Sequence, residues 1–423
     1  MWLGAASLCF AATTAMAGHG AEFSILAHES VHLTNRQLGN EQQRVTFDAY
    51  GRRFELLLQP NTNLNLAISA DADFAPLQGT VAGLPGSWAR ITQSPRGWRG
   101  MFFDGTNLYA IEPSQDVAAY TVQPLNMKPG DSQVVYRLED AVLPQGGAFC
   151  ETVTPDENDQ VTADSAFKSL AAELHQKTAL TATKRLKVSV VADYEFASTM
   201  ASPEEAMIAR MNIVDGIFTS QLGVQIAVDE TTVFRTPEDP FTKTKPGELL
   251  TELKRYRTST SGELMFGATH LMTGRDMEGD TVGIAYMGYV CRGPSAASLS
   301  EAARSSVSAA LIAAHEIAHN FNAPHDGEAA CASTPDSYLM AARLNGNNQF
   351  SDCSLSEMQP VLDSGNCFVD IVPEKTPPAS GGLITGTPPD TPSDSGGGGG
   401  RFDVLLLAVL ALIALTRARL RMR

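Results

Sequence analysis

Three of the chain's eight histidines fall inside twelve residues, His315-Glu316-Ile317-Ala318-His319-Asn320-Phe321-Asn322-Ala323-Pro324-His325-Asp326. His315 and His319 are four apart, and residues at that spacing lie one turn above each other on a helix face. Two imidazoles so placed can reach one ion, as zinc prefers. Glu316 projects beside them and can take a proton from water on the metal without being a ligand itself. His325 adds a third nitrogen if the chain turns back after the helix. Asn322 provides the stop, because outside Gly it is Asn that best tolerates positive φ, and Pro324 forbids further helix. The competing reading is an ordinary core helix with surface histidines. A third histidine at this distance counts against it.

The element that must carry the first two histidines is legible upstream. Val307 to Ala314 is an unbroken run rich in Ala, Leu and Ile, which reads as a buried helix. Strands alternating with helices before it predict a sheet with helical crossovers. Leu186 to Phe196 is a strong β run. Ser202-Pro203-Glu204-Glu205 starts a helix, with Ser as N-cap, Pro in the first turn and acids against the dipole, that runs to about Gln221. Val224–Phe234 is the next strand, Lys245–Tyr256 a helix and Phe266–Met272 a strand.

The histidine stretch resembles the long zinc signature of the metzincin metalloproteases, His-Glu-x-x-His-x-x-Gly-x-x-His, with Asn322 where that family has Gly. Asp326 after the third histidine points to the adamalysin/reprolysin branch, which includes the ADAM proteases. Tyr338-Leu339-Met340-Ala341-Ala342 resembles the family's Met-turn; taken alone, Met340 would read as a gap-filling core methionine. Ala342 means that the extra tyrosine ligand of the astacin and serralysin branches is absent. The resemblance extends over residues 186–370 and implies an α/β (α+β) catalytic domain, a mixed twisted sheet with a zinc-binding helix. It implies one catalytic zinc on His315, His319 and His325, with Glu316 as catalytic base and Asp326 structural. Thr281-Val282-Gly283-Ile284-Ala285-Tyr286-Met287 resembles the family's edge strand, and Gly283, Ile284 and Ala285 would pair antiparallel with an extended protein or peptide substrate. The alternative there is an ordinary sheet strand.

Residues 18–153 precede this domain. Period-two alternation between Gly, Pro and Asn turns predicts a mostly β fold, as in Phe54–Leu58 and Val134–Leu138. Gly51–Leu56, Gly79–Val81, Gly86–Trp88 and Ile111–Pro113 resemble the ADAM propeptide, so this is read as a prodomain, against an unrelated β binding module. Cys150 lies where the family carries its cysteine switch, a thiolate that occupies the open coordination site of zinc; an idle or differently paired thiol is the alternative. Residues 154–185 form a polar linker and activation region with a short helix around Phe167–His175. Lys184-Arg185 is either the activation cut or charge flanking a strand.

Past the leader the cysteines are Cys150, Cys291, Cys331, Cys353 and Cys367. The last four are an even set, which in an exported protein suggests disulfides in one of three connectivities. The resemblance selects Cys291–Cys367 and Cys331–Cys353. A cysteine-rich metal site would need closer spacing.

At 423 residues the chain has room for two or three domains. Its net charge of −16 argues against nucleic acid as a partner. Acidic residues are plentiful enough for a structural calcium, though no loop has a diagnostic spacing. Residues 1–17 are apolar and end in Ala15-Met16-Ala17, resembling a signal-peptidase site and predicting export to the cell surface or medium, with periplasmic transit. Residues 371–400 are a Pro/Gly/Ser linker. Residues 401–423 hold the apolar run Val404–Leu415 and a basic end, short of the ~20 residues that span a bilayer. This tail resembles the bacterial GlyGly-CTERM sorting signal that a sortase removes; a plain membrane anchor is the alternative. Taken together, the expectation is a secreted or surface zinc metalloendopeptidase made as a latent zymogen. Its rivals are a catalytically silent adhesion protein on the same fold and a non-peptidase zinc hydrolase.

Overall fold

The computed structural model describes residues 23–371, except 40, 65–66, 143–148, 154–181, 302–304 and 344–345. The expected leader, the helix around Phe167–His175, the glycine linker and the C-terminal tail lie outside the described residues. Among the described residues no helix is long and apolar enough to cross a membrane.

The N-terminal part is β1 (Ser24–Ile25), β2 (Glu29–Val31), β3 (Thr34–Gln37), β4 (Gln43–Ala49), β5 (Arg52–Pro60), β6 (Ala75–Val81), β7 (Trp88–Ser94), β8 (Gly97–Phe103), β9 (Leu108–Pro113), the short α1 (Ser114–Val117), β10 (Gln133–Arg137) and β11 (Ala141–Val142). Nine of these strands form one antiparallel sheet in the order β2-β10-β9-β8-β7-β6-β5-β4-β3. One face buries an aromatic cluster of Phe47, Phe54, Phe102 and Tyr109, which follows from the alternation that predicted these strands.

The second part comprises β12 (Phe149–Val153), β13 (Lys184–Ala192), α2 (Tyr194–Thr199), α3 (Pro203–Leu222), β14 (Val224–Val233), α4 (Pro246–Ser259), β15 (Ala268–Thr273), β16 (Thr281–Tyr286), β17 (Ala297–Glu301), α5 (Ser306–Asn320), α6 (Asp352–Ser364) and β18 (Phe368–Asp370). The sheet order is β12-β16-β17-β15-β13-β14, with β18 beside the start of β13. β13, β14, β15 and β17 run parallel, and β16 runs antiparallel to β17. This is the mixed α/β sheet expected, and its central strands β15 and β17 are buried although they carry Thr269, His270, Ser298 and Ser300.

Three details depart from the sequence reading. The β run ends at Ala192, not Phe196: the Asp193 carboxylate accepts from the Phe196 N–H and starts α2, so a local cap overrides β propensity. Ser202 precedes α3 but makes no side-chain cap bond. Phe149–Val153, read as the end of the β domain, is instead an added strand of the second sheet.

Helix α3 joins the two parts. Pro203 opens it, and Gly223, at φ 70°, closes it. It is buried on nearly all sides, between β14 and α5 on one side and β7 on the other. The polar residues of α3 meet the N-terminal sheet. Asp215 takes a 2.9 Å hydrogen bond from Arg90 Nε and one of 3.0 Å from Asn61. Glu205 is held by Arg96, Arg99 and Ser94. Gly216 makes the approach close: a β-carbon there would stand 2.6 Å from Arg90 Cγ. Buried charges survive only when paired in this way.

Candidate active site

Helix α5 begins at Ser305, whose hydroxyl accepts from the Ser308 N–H at 3.1 Å. The next amide, Ser306 N–H, donates to Glu112 Oε1 of β9 at 2.8 Å. The helix is buried along its whole length against α3, β16 and β17. It presents His315, Glu316 and His319, all fully buried. Its end is set by Asn322 at φ 81°, with Asn322 N–H donating to His319 O at 2.9 Å and Ala323 N–H to Ala318 O at 3.1 Å. The chain then turns back and places His325 beside the other two. One ligand nitrogen from each of the three lies within 4.8 Å of the others.

The outer nitrogens fix the tautomers. His315 Nδ1 is 2.6 Å from Leu339 O, and His319 Nδ1 is 2.7 Å from Ala323 O. Carbonyls only accept, so both Nδ1 atoms carry the proton. The two Nε2 atoms are 2.9 Å apart and face each other as lone pairs, an arrangement that needs a cation between them. His325 Nε2 is buried with no hydrogen-bond partner among the described residues. This donor set fits zinc as three neutral imidazoles. Burial lowers the pKa of His315 to about 3, with His325 nearby adding to the effect. Burial likewise holds His319 well below its ordinary value. Burial also pushes the Glu316 carboxyl well above the usual carboxylate range.

Met340 is fully buried in the central core. Its stretch supplies contacts on both sides: Leu339 O to His315, Met340 O to the Asp326 N–H at 2.8 Å, and Ala342 O to the Cys150 N–H at 3.1 Å. The Asp326 carboxylate accepts from Ser351 at 2.7 Å and Ser354 at 3.3 Å, at the start of α6. Disulfides join Cys291 to Cys367 and Cys331 to Cys353.

The strand expected to be a free edge is covered. β12 pairs with β16 in parallel, placing Cys150 opposite Gly283, Glu151 opposite Ile284, Thr152 opposite Ala285 and Val153 opposite Tyr286. The other side of β16 pairs with β17. Cys150 is buried and outside any disulfide, and its sulfur lies within 4.8 Å of ligand atoms of His315 and Glu316. The pair Lys184-Arg185 opens β13. Lys184 pairs with Val224 and Asp370, and Arg185 with Gln225 and Val369.

The calcium expectation finds no support. The buried acids Asp193 and Asp239 are paired with Arg275, at 3.6 and 3.9 Å. Two contacts at the site were missed in the sequence. Glu112 lies 194 residues from Ser306, and nothing local marks it. Glu328, against His325 Nδ1 at 3.2 Å, is a carboxylate three residues past a ligand, and that spacing was available as a signal.

Residues 182–351 match the family model Reprolysin_5, Metallo-peptidase family M12. The chain is 25% identical over 312 residues to the mouse disintegrin and metalloproteinase domain-containing protein 19, covering 71% of this chain and 31% of that protein. It is 23% identical over 399 residues to the mouse "A disintegrin and metalloproteinase with thrombospondin motifs 1", covering 77% of this chain and 40% of that protein. It therefore spans less than half the length of these relatives. Among solved structures, metalloproteinase-II from Bacteroides fragilis aligns with a TM-score of 0.47 and 14% identity, over 76% of this chain and 92% of that one.

Proposed function

Because residues 182–351 form an adamalysin-like metzincin domain of the M12 metallopeptidases, we propose that the chain is a zinc-dependent endopeptidase of proteins or peptides, made in a latent form. The observation that carries this reading is the convergence of His315, His319 and His325 beside Glu316, which packs against Gly283 of β16. Zinc, when bound, supplies a Lewis acid for the scissile carbonyl and lowers the pKa of water. The three imidazoles would hold it through their Nε2 atoms. A Glu316 carboxylate oxygen takes the proton from the attacking water and passes it to the departing amine nitrogen. The Gly283–Ala285 backbone orients the substrate by strand addition.

Latency is assigned to β12. It occupies the backbone edge that a substrate needs, and it sets the Cys150 thiol against His315 and Glu316. Full activity on proteins, which need that strand edge, then requires a cut between β12 and β13 and withdrawal of β12, whereas short peptides need only the thiol out of the way. The two disulfides favour an oxidising compartment outside the cytosol, so export is part of the reading. Processing of the residues 401–423 tail, with brief membrane attachment, belongs to it too.

Casein zymography of processed protein, with and without a chelator, together with zinc analysis, tests the activity. Chelator-sensitive clearing and one zinc per chain are expected. Zinc without hydrolysis of any protein would favour a silent binding protein on this fold.

A further inference from the structure

We propose that Glu328 is a positioning residue for the metal centre, its carboxylate fixing His325 as third ligand and strengthening its hold on the metal. The inference rests on the zinc reading above. It starts from an asymmetry among the three ligands. His315 and His319 stand on the rigid α5, and each is oriented by a backbone carbonyl, Leu339 O and Ala323 O. His325 stands on the loop after the helix, and a carboxylate oxygen, Glu328 Oε2, faces its Nδ1 at 3.2 Å.

The loop backbone that carries Glu328 is tied down, while the Glu328 side chain is 43% exposed. Glu328 N–H donates to His325 O at 3.2 Å, closing a turn, and Glu328 O accepts from Cys331 N–H at 2.8 Å. Gly327 N–H donates to Cys331 O at 3.0 Å, and Cys331 is tied to Cys353 in α6. The neighbouring acid, Asp326, accepts through Oδ1 from Ser351 and Ser354. Glu328 is thus the acid that serves His325.

The chemistry follows from the imidazole. An acceptor at Nδ1 keeps the proton there and leaves the Nε2 lone pair facing the other two histidines. A charged acceptor also raises the electron density at Nε2, which a carbonyl does less. Such outer partners are worth about 10–100-fold in metal affinity. The two halves of the role can be separated. Glu328→Gln keeps an oxygen for Nδ1–H and removes the charge, and Glu328→Ala removes both.

The test uses the full chain, stripped of metal and titrated with zinc against a chromophoric chelator. The expected order of affinity is wild type, then Glu328→Gln, then Glu328→Ala, with a total loss of about 10–100-fold and faster zinc release. Thermal unfolding of the metal-free proteins should be unchanged, because the turn is closed by backbone bonds. Zinc affinity of Glu328→Ala within twofold of wild type overturns the proposal. So does a loss of affinity matched by an equal loss of metal-free stability in both variants, which would make Glu328 a loop-folding residue. Failure of the wild type itself to bind one zinc sinks the metal reading instead.

Discussion

Gly283 of β16 and Glu316 of α5 are in such close contact that a β-carbon on Gly283 would stand 2.7 Å from both Cγ and Cδ of the glutamate. The missing side chain is what lets the Glu316 carboxylate lie against β16. Gly283→Ala should displace Glu316 and leave the three histidines in place. We expect hydrolysis to fall by about 10²-fold or more, the scale of a lost general base, with zinc content unchanged. Glu316→Gln should do the same without moving the strand. Loss of zinc from either variant would contradict these assignments.

Cys150→Ala removes the thiol beside His315 and Glu316 and leaves β12 paired to β16. The uncleaved variant should hydrolyse short peptides while the uncleaved wild type does not. The comparison is made on chains verified as full length by mass. If the variant is as inert as wild type, the strand alone enforces latency.

Lys184 and Arg185 are rungs of β13, hydrogen-bonded in the sheet on both sides. A processing protease needs several residues in an unpaired, extended form. Replacing both with Ala should therefore leave processing unchanged and alter stability by only about 0.5 kcal/mol. The mature chain should begin upstream of Ala182. A mature N-terminus at Leu186 would show that the pair is the cleavage site.

Glu112 gives a dependence on pH. It is fully buried, accepting from Tyr136 Oη at 2.6 Å and Ser306 N–H at 2.8 Å, with Asp116 and Arg99 nearby. Burial pushes its carboxyl up from 4.5 to about 7. A raised value means that the folded state holds the proton more tightly than the unfolded chain. The contribution is fully present below about pH 4.5, is lost as pH rises toward 7 and stays lost above. Glu112→Gln cannot ionise, so its stability relative to wild type should grow from pH 5 to pH 8, by on the order of 3 kcal/mol at most. Denaturant midpoints of the two proteins across that range measure it. A difference that does not vary with pH would rule out Glu112 as the titrating group.

Much of the site is determined by sequence alone, because its logic is local. The helical period puts His315 and His319 on one face, Asn322 accepts the left-handed turn at φ 81°, and Pro324 keeps the chain from continuing as helix. The strand–helix order around them is largely written in short-range patterns, but it fails where a local cap, Asp193, outcompetes the β run, and it leaves out β17. Tertiary structure alone decided the rest. The five residues Phe149–Val153 could have ended one sheet or joined another. Their partners lie some 130 residues away, and pairing at that distance leaves no local trace. The polar face of α3 is the same kind of case. Nothing in the sequence marks Glu205, Asn212 and Asp215 as buried, yet they lie under β6 and β7 because Leu77, Arg90 and Ser94, more than 100 residues earlier, meet them there. A charge in a sequence does not say whether water or an arginine will neutralise it; only the packing of distant segments does.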